Sequence, residues 1–228
     1  MYENRLLIMK NLILFTAALF FVHLTMQGQV PKGMGKSDPK GKAVLDAVSK
    51  RFKTFKNVQA KFNLKIENAS GKVMGTKAGM VYMKGTKYRV SLPDQEIFSD
   101  GNKVWTYDSD ANEVTISKLD PEANSITPQK LFTNFYDKDF LYKLNGETKV
   151  GTKMMQEIEL TPVDKTKPFF KVLLYVNNNI IYLSKVFEKT GNRYTYSISN
   201  LNTTSAVSDA MFIFDAKKFP DVEVIDLL

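Results

Sequence analysis

From residue 57 onward the chain keeps a period of two, and that decides its fold class. Val58, Ala60, Phe62, Leu64 and Ile66 alternate with Gln59, Lys61, Asn63, Lys65 and Glu67, so one face of the segment is apolar and the other wet. Tyr88, Val90 and Leu92 alternate in the same way with Lys87, Arg89 and Ser91. Between such runs stand turn residues: Asn68-Ala69-Ser70-Gly71, Asp100-Gly101, Asn145-Gly146, Asn177-Asn178-Asn179 and Gly191-Asn192. Asp100-Gly101 is expected to form a type I′ turn, and Asn145-Gly146 is expected to turn a hairpin. Strands are predicted at 57–67, 73–83, 87–92, 96–99, 103–107, 113–118, 140–144, 149–160, 169–176, 180–188, 193–200 and 222–225, with Phe212 and Phe214 alternating in the tail.

Helical periodicity is confined to two places. Asp38 supplies a capping carboxylate and Pro39 a fixed φ that suits the first helical position. Val44, Leu45, Val48, Phe52 and Phe55 then recur at helical spacing to about Lys56. Thr127-Pro128 repeats the cap, and Leu131, Phe132 and Phe135 make the apolar side of a second, shorter helix. About eleven antiparallel strands in one twisted sheet should curl rather than lie open and flat. With the outer face polar, the apolar faces point inward, and few helices are available to cover them. The expected fold is mainly β: an unclosed antiparallel β-barrel with a helical lid, whose concavity need not be filled by side chains.

The chemistry open to such a chain is narrow. It has no cysteine, and its one histidine, His23, lies at the polar exit of the apolar run 12–22, which follows Arg5 and Lys10 and reads as part of a secretory signal peptide over 1–28. The remaining chain, 29–228, is expected to be a single exported domain in the periplasm. Without His or Cys it can build no Ser-His-Asp triad, thiolate nucleophile or imidazole metal site. No catalytic residue, metal or cofactor is assigned. Asp108-x-Asp110-x-Asn112 imitates the opening of a calcium loop, but Glu113 replaces the required Gly and Leu119 the bidentate Glu, so it reads as a polar turn. Glu157 and Glu159 share a strand face opposite Ile158 and Leu160, which places them in solvent.

Net charge is +8, and the two bases and one acid of 1–28 leave +7 for the rest. Residues 29–90 hold 15 Lys and Arg against three acids, whereas 91–228 hold 15 against 20. A basic first third suits an anionic surface or an acidic partner. Nucleic acid is not expected for an exported chain.

The ordered set of segments NVQAKFNLKI, GMVYMKGTKYRV, SDGNKVWTYD, SITPQKLF and AMFIFDAKKFPDVEVID resembles LolA, the family of periplasmic carriers of outer-membrane lipoproteins. The resemblance covers essentially all of 29–228. It implies a non-enzymatic, monomeric carrier that receives acylated lipoproteins from an inner-membrane ABC transporter and delivers them to an outer-membrane acceptor. The alternative within the same fold is a sensor resembling RseB. On the carrier reading Phe62, Leu64, Tyr88, Val90, Leu92, Trp105 and Tyr107 line the cavity. Leu45, Val48, Phe52, Phe55, Leu131, Phe132 and Phe135 form the underside of the lid. Family members often carry an Arg that latches the lid by hydrogen bonds; here Gly85-Thr86 follow Lys84, and Arg89 is the candidate latch.

Overall fold

The structure is a computed structural model and describes residues 35–119 and 136–228. Helix α1 (Pro39–Lys53) leads into β1 (Val58–Glu67), β2 (Val73–Lys84), β3 (Lys87–Ser91), β4 (Gln95–Ser99), β5 (Lys103–Asp108) and β6 (Glu113–Lys118). After the short α2 (Tyr136–Asp139) come β7 (Phe140–Val150), β8 (Lys153–Pro162), β9 (Phe169–Asn177), β10 (Ile180–Glu188), β11 (Arg193–Asn202) and β12 (Glu223–Asp226). All twelve strands belong to one sheet, ordered β12-β6-β5-β4-β3-β2-β1-β11-β10-β9-β8-β7. The sheet is two meanders joined where β1 pairs with β11, and its order does not return on itself, so the barrel is unclosed. Every neighbour is antiparallel except β12, which adds to β6 in parallel.

Helix α1 starts as its sequence dictates. Asp38 Oδ1 accepts from the Lys40 amide at 2.9 Å, and Pro39 takes the first helical position. The same residue also ties the helix to the edge strand: its amide donates to Tyr142 O at 2.9 Å and its Oδ2 accepts from the Leu144 amide at 3.1 Å. Gly41 makes this approach possible, because a Cβ there would stand 3.2 Å from the Leu144 nitrogen. The helix ends at Lys53, earlier than the apolar spacing suggests, and Phe55 is carried on the turn that follows.

One face of the sheet carries the core. Leu45 and Val48 of α1 pack with Ile158, Leu160, Val172, Leu174, Val176 and Ile181, and a second cluster, around Val58, Ala60, Val81, Met83 and Tyr88, takes in Phe52 and Phe55. Burying each large side chain of this kind contributes roughly 1.5–3 kcal/mol.

Four local expectations are corrected. Asp100 keeps a negative φ; only Gly101 is positive, at +97°, and the connection has three residues, with Asp100 Oδ1 accepting from the Asn102 and Lys103 amides at 2.8 Å. An Asx turn has displaced the type I′ turn. Asn145-Gly146 is no turn but a β-bulge inside β7, where the register shifts between Leu144 and Gly146; the chain reverses at Gly151 instead, splitting the predicted 149–160 strand. Leu92 lies just past the end of β3. Phe212 closes a 3-10 turn, Asp209–Phe212, and is fully buried, while Phe214 follows outside any strand.

Candidate functional site

Register decides which side chains face α1. Ala60 pairs with Val81, Val81 with Val90, Val90 with Ile97 and Ile97 with Thr106; because Val81, Val90 and Ile97 belong to the cluster under α1, this row is the inner face. Phe62 and Leu64 lie on it too, opposite Ile198 and Tyr196. Tyr88, 4% exposed, is on it, with its hydroxyl bonded to Ser99 and its pKa raised first by burial. Gly79, opposite Phe62, leaves room for that ring: a Cβ would stand 2.7 Å from the ring and closer still to Ser91 O.

The alternating row points the other way. Tyr82 pairs with Arg89, Arg89 with Phe98, Phe98 with Trp105 and Trp105 with Ile116. Trp105, Tyr107 and Arg89 therefore stand on the outer face, and the expectation that Trp105 and Tyr107 line the cavity is not met. What makes their face apolar is the C-terminal segment laid over it: Phe214 packs 5.7 Å from Phe98 and 5.9 Å from Tyr107, and Phe219 4.4 Å from Tyr107. Arg89 does not reach α1. It binds Glu96 Oε2 at 2.6 Å and lies 4.8 Å above the Phe98 ring, so it clamps β3 to β4 instead of latching a lid. Leu131, Phe132 and Phe135 lie outside the described residues.

The lid residues of α1 divide between its two ends. Leu45 and Val48 are buried core, 2% and 4% exposed. Phe52 and Phe55, edge to face at 5.9 Å, roof an apolar cleft with Val48, above Val58, Ala60, Val81 and Met83 on one side and Ile180, Ile181, Ile198 and Leu201 on the other. Sequence reasoning misses the β10 and β11 residues, although Ile180-Ile181 and the Ile198-x-x-Leu201 spacing are signals that could find them. The cleft holds about 20 Å³, on the order of one water, whereas a ligand pocket runs roughly 300–1,000 Å³. The cleft is narrow, and Phe52 and Phe55 fill the space between α1 and the sheet at this end.

The ionic contacts of α1 are concentrated at its start. Its first half is held by polar contacts: Tyr136 Oη donates to Asp46 Oδ1 at 2.8 Å, and Lys42 Nζ bridges Asp46 at 3.0 Å and Asp137 at 3.4 Å. The Tyr136 hydroxyl and then Lys42 hold the Asp46 carboxyl below its usual range, and the Leu144 amide does the same for Asp38. Its last turn carries Lys50, Arg51 and Lys53, none in an ion pair among the described residues. Beside it, Asn57 Oδ1 is buried without a hydrogen-bond partner, a deficit of about 1–3 kcal/mol.

Among the described residues, the molecule is an unclosed, almost wholly antiparallel sheet whose apolar inner face is covered by α1. Comparison with known proteins gives it a family. Residues 53–215 match the model of the outer membrane lipoprotein carrier protein LolA, and the chain belongs to that family. An outer-membrane lipoprotein carrier protein of Cupriavidus necator is 30% identical over 164 residues, 70% of this chain and 76% of its own. One from Cupriavidus taiwanensis is 26% identical over 94% of this chain and 99% of its own. Among solved structures, an uncharacterised conserved protein from Thermus thermophilus superposes with a TM-score of 0.56 at 14% identity, over 82% of this chain and 99% of that one, a likeness of fold. No helix among the described residues is long and apolar enough to cross a membrane.

Proposed function

We propose that this chain is a periplasmic carrier that shields the acyl chains of lipoproteins between the sheet's inner face and α1, taking them from an inner-membrane ABC transporter and passing them to an outer-membrane acceptor. The observation that carries the proposal is the cleft under Phe52 and Phe55, apolar throughout its walls except for Asn179 and roofed by the end of α1, whose Lys50, Arg51 and Lys53 make no ion pair among the described residues. Family membership supports the same reading. Each acyl CH₂ moved out of water contributes about 0.8 kcal/mol, so a chain of ordinary length repays separation of the roof from the sheet. No catalytic step is needed, since transfer runs downhill between sites of differing affinity.

Fluorescence tests the proposal. In a Phe52→Trp/Trp105→Phe variant the one indole sits in the roof, and a diacylated lipopeptide should produce a saturable blue shift that the unacylated peptide does not. In the natural protein Trp105 lies on the outer face, and its emission should stay fixed while calorimetry records binding. A lipopeptide that binds and shifts Trp105 but not the indole introduced at position 52 would place the cargo on the wrong side of the sheet.

A further inference from the structure

Where the apolar cleft ends, the chain changes chemistry within one residue. Phe55 lines the cleft and also a second, open pocket of about 430 Å³, walled by Arg51, Thr54, Lys56 and Asn57 from the end of α1 and by Thr203 and Thr204 after β11. Lys50 and Lys53 flank it on the last helical turn, so residues 50–56 (KRFKTFK) hold four cations and no acid. None of the four makes an ion pair among the described residues, in contrast to Lys42 at the other end of the same helix, which has two carboxylates. Basic residues in a last helical turn complement the helix dipole, but Lys56 lies beyond that turn and its charge is left over. Arg51 is stacked on the Phe55 ring at 5.4 Å, which holds a guanidinium at the border between apolar wall and open pocket.

An amphiphile whose chains fill the cleft must leave its head in this pocket. The inference rests on the carrier reading, in which the head is the polypeptide behind the acylated residue. We propose that the pocket reads that polypeptide and selects cargo with acidic side chains in its first few residues. Carboxylates behind the acylated residue would meet Arg51 and Lys56, the two cationic side chains that wall the pocket.

The test uses the protein lacking residues 1–28 and diacylated lipopeptides that differ only in tail, one with Asp and Glu behind the acylated residue and one with Ser and Gly, measured by calorimetry. The acidic tail should bind about tenfold tighter at low salt, the effect of two ion pairs of partly exposed groups. The ratio should shrink as salt brings the Debye length below about 8 Å. In R51Q/K56Q it should fall close to one, with circular dichroism checking the fold; should that variant not fold, the salt dependence of the natural protein decides alone. Equal affinity for the two tails would overturn the selection and leave the carrier reading standing, while failure of both lipopeptides to bind would remove the carrier reading itself. Dodecyl phosphate binding as tightly as the acidic lipopeptide would assign the pocket to phosphate-headed lipids and overturn the peptide reading.

Discussion

Gly79 shows how much a single missing methyl group does here. It lies on the inner face among large side chains, and the Phe62 ring and the Ser91 carbonyl occupy the space its Cβ would need. Gly79→Ala must push the ring off the sheet or part β2 from β3, an overpacking cost of about 1–3 kcal/mol. Urea unfolding should show that loss as a lower midpoint with an unchanged slope; a midpoint equal to the natural protein's would mean that β2 and β3 separate at no cost. Phe62 itself was legible as an inward residue from alternation alone, but its partner was not, because a glycine in a strand carries no sign of which ring lies on it.

At the scale of the element, α1 is a helix whose start is fastened by two carboxylates. Asp38 both caps it and extends the β7 ladder, and Asp46 joins it to Tyr136. Both carboxyls have pKa values lowered in the folded state. Their contribution to stability is therefore full above the ordinary carboxylate value of about 4 and is lost as pH falls through the depressed native values. Asp46→Asn removes the charge but keeps an acceptor for Tyr136, and should cost about 1 kcal/mol at neutral pH. It should also flatten the decline in melting temperature between neutral and acid pH and speed hydrogen exchange of the α1 amides. A melting curve as steep in acid as the natural protein's would show that Asp46 does not fasten the helix. The cap was visible in the sequence as Asp38-Pro39; the Asp46–Tyr136 bond, spanning 90 residues, was not, since nothing local marks two side chains that meet only after the sheet has formed.

For the whole molecule the consequence of an unclosed sheet is that two edges need cover. Asp38 blocks part of β7. At the other edge β12 pairs with β6, and the segment before it buries Phe212 and lays Phe214 and Phe219 over the outer face, fastened to the β2–β3 hairpin where Asp209 meets Lys84 at 3.1 Å and Lys87 at 3.2 Å. Removal of residues 203–228 bares the β6 edge together with Phe98, Trp105 and Tyr107. Such a truncated protein should self-associate in size-exclusion chromatography and lose about 3–5 kcal/mol for Phe212 alone. A truncated chain that stays monomeric and equally stable would show the tail to be dispensable to the barrel.

The sequence by itself determined most of the strands, the helix start and the apolar row of β1, because these rest on local physics: a period of two, a capping carboxylate, a proline. It also determined that Trp105 and Tyr107 share a face. Which face that is was settled only by the tertiary structure. The answer depends on register carried from β2 through β3 and β4 to β5, and on Phe214 and Phe219, over a hundred residues further along, making the outside of that hairpin as apolar as the inside. Alternation reports two faces; only packing says which of them the helix covers.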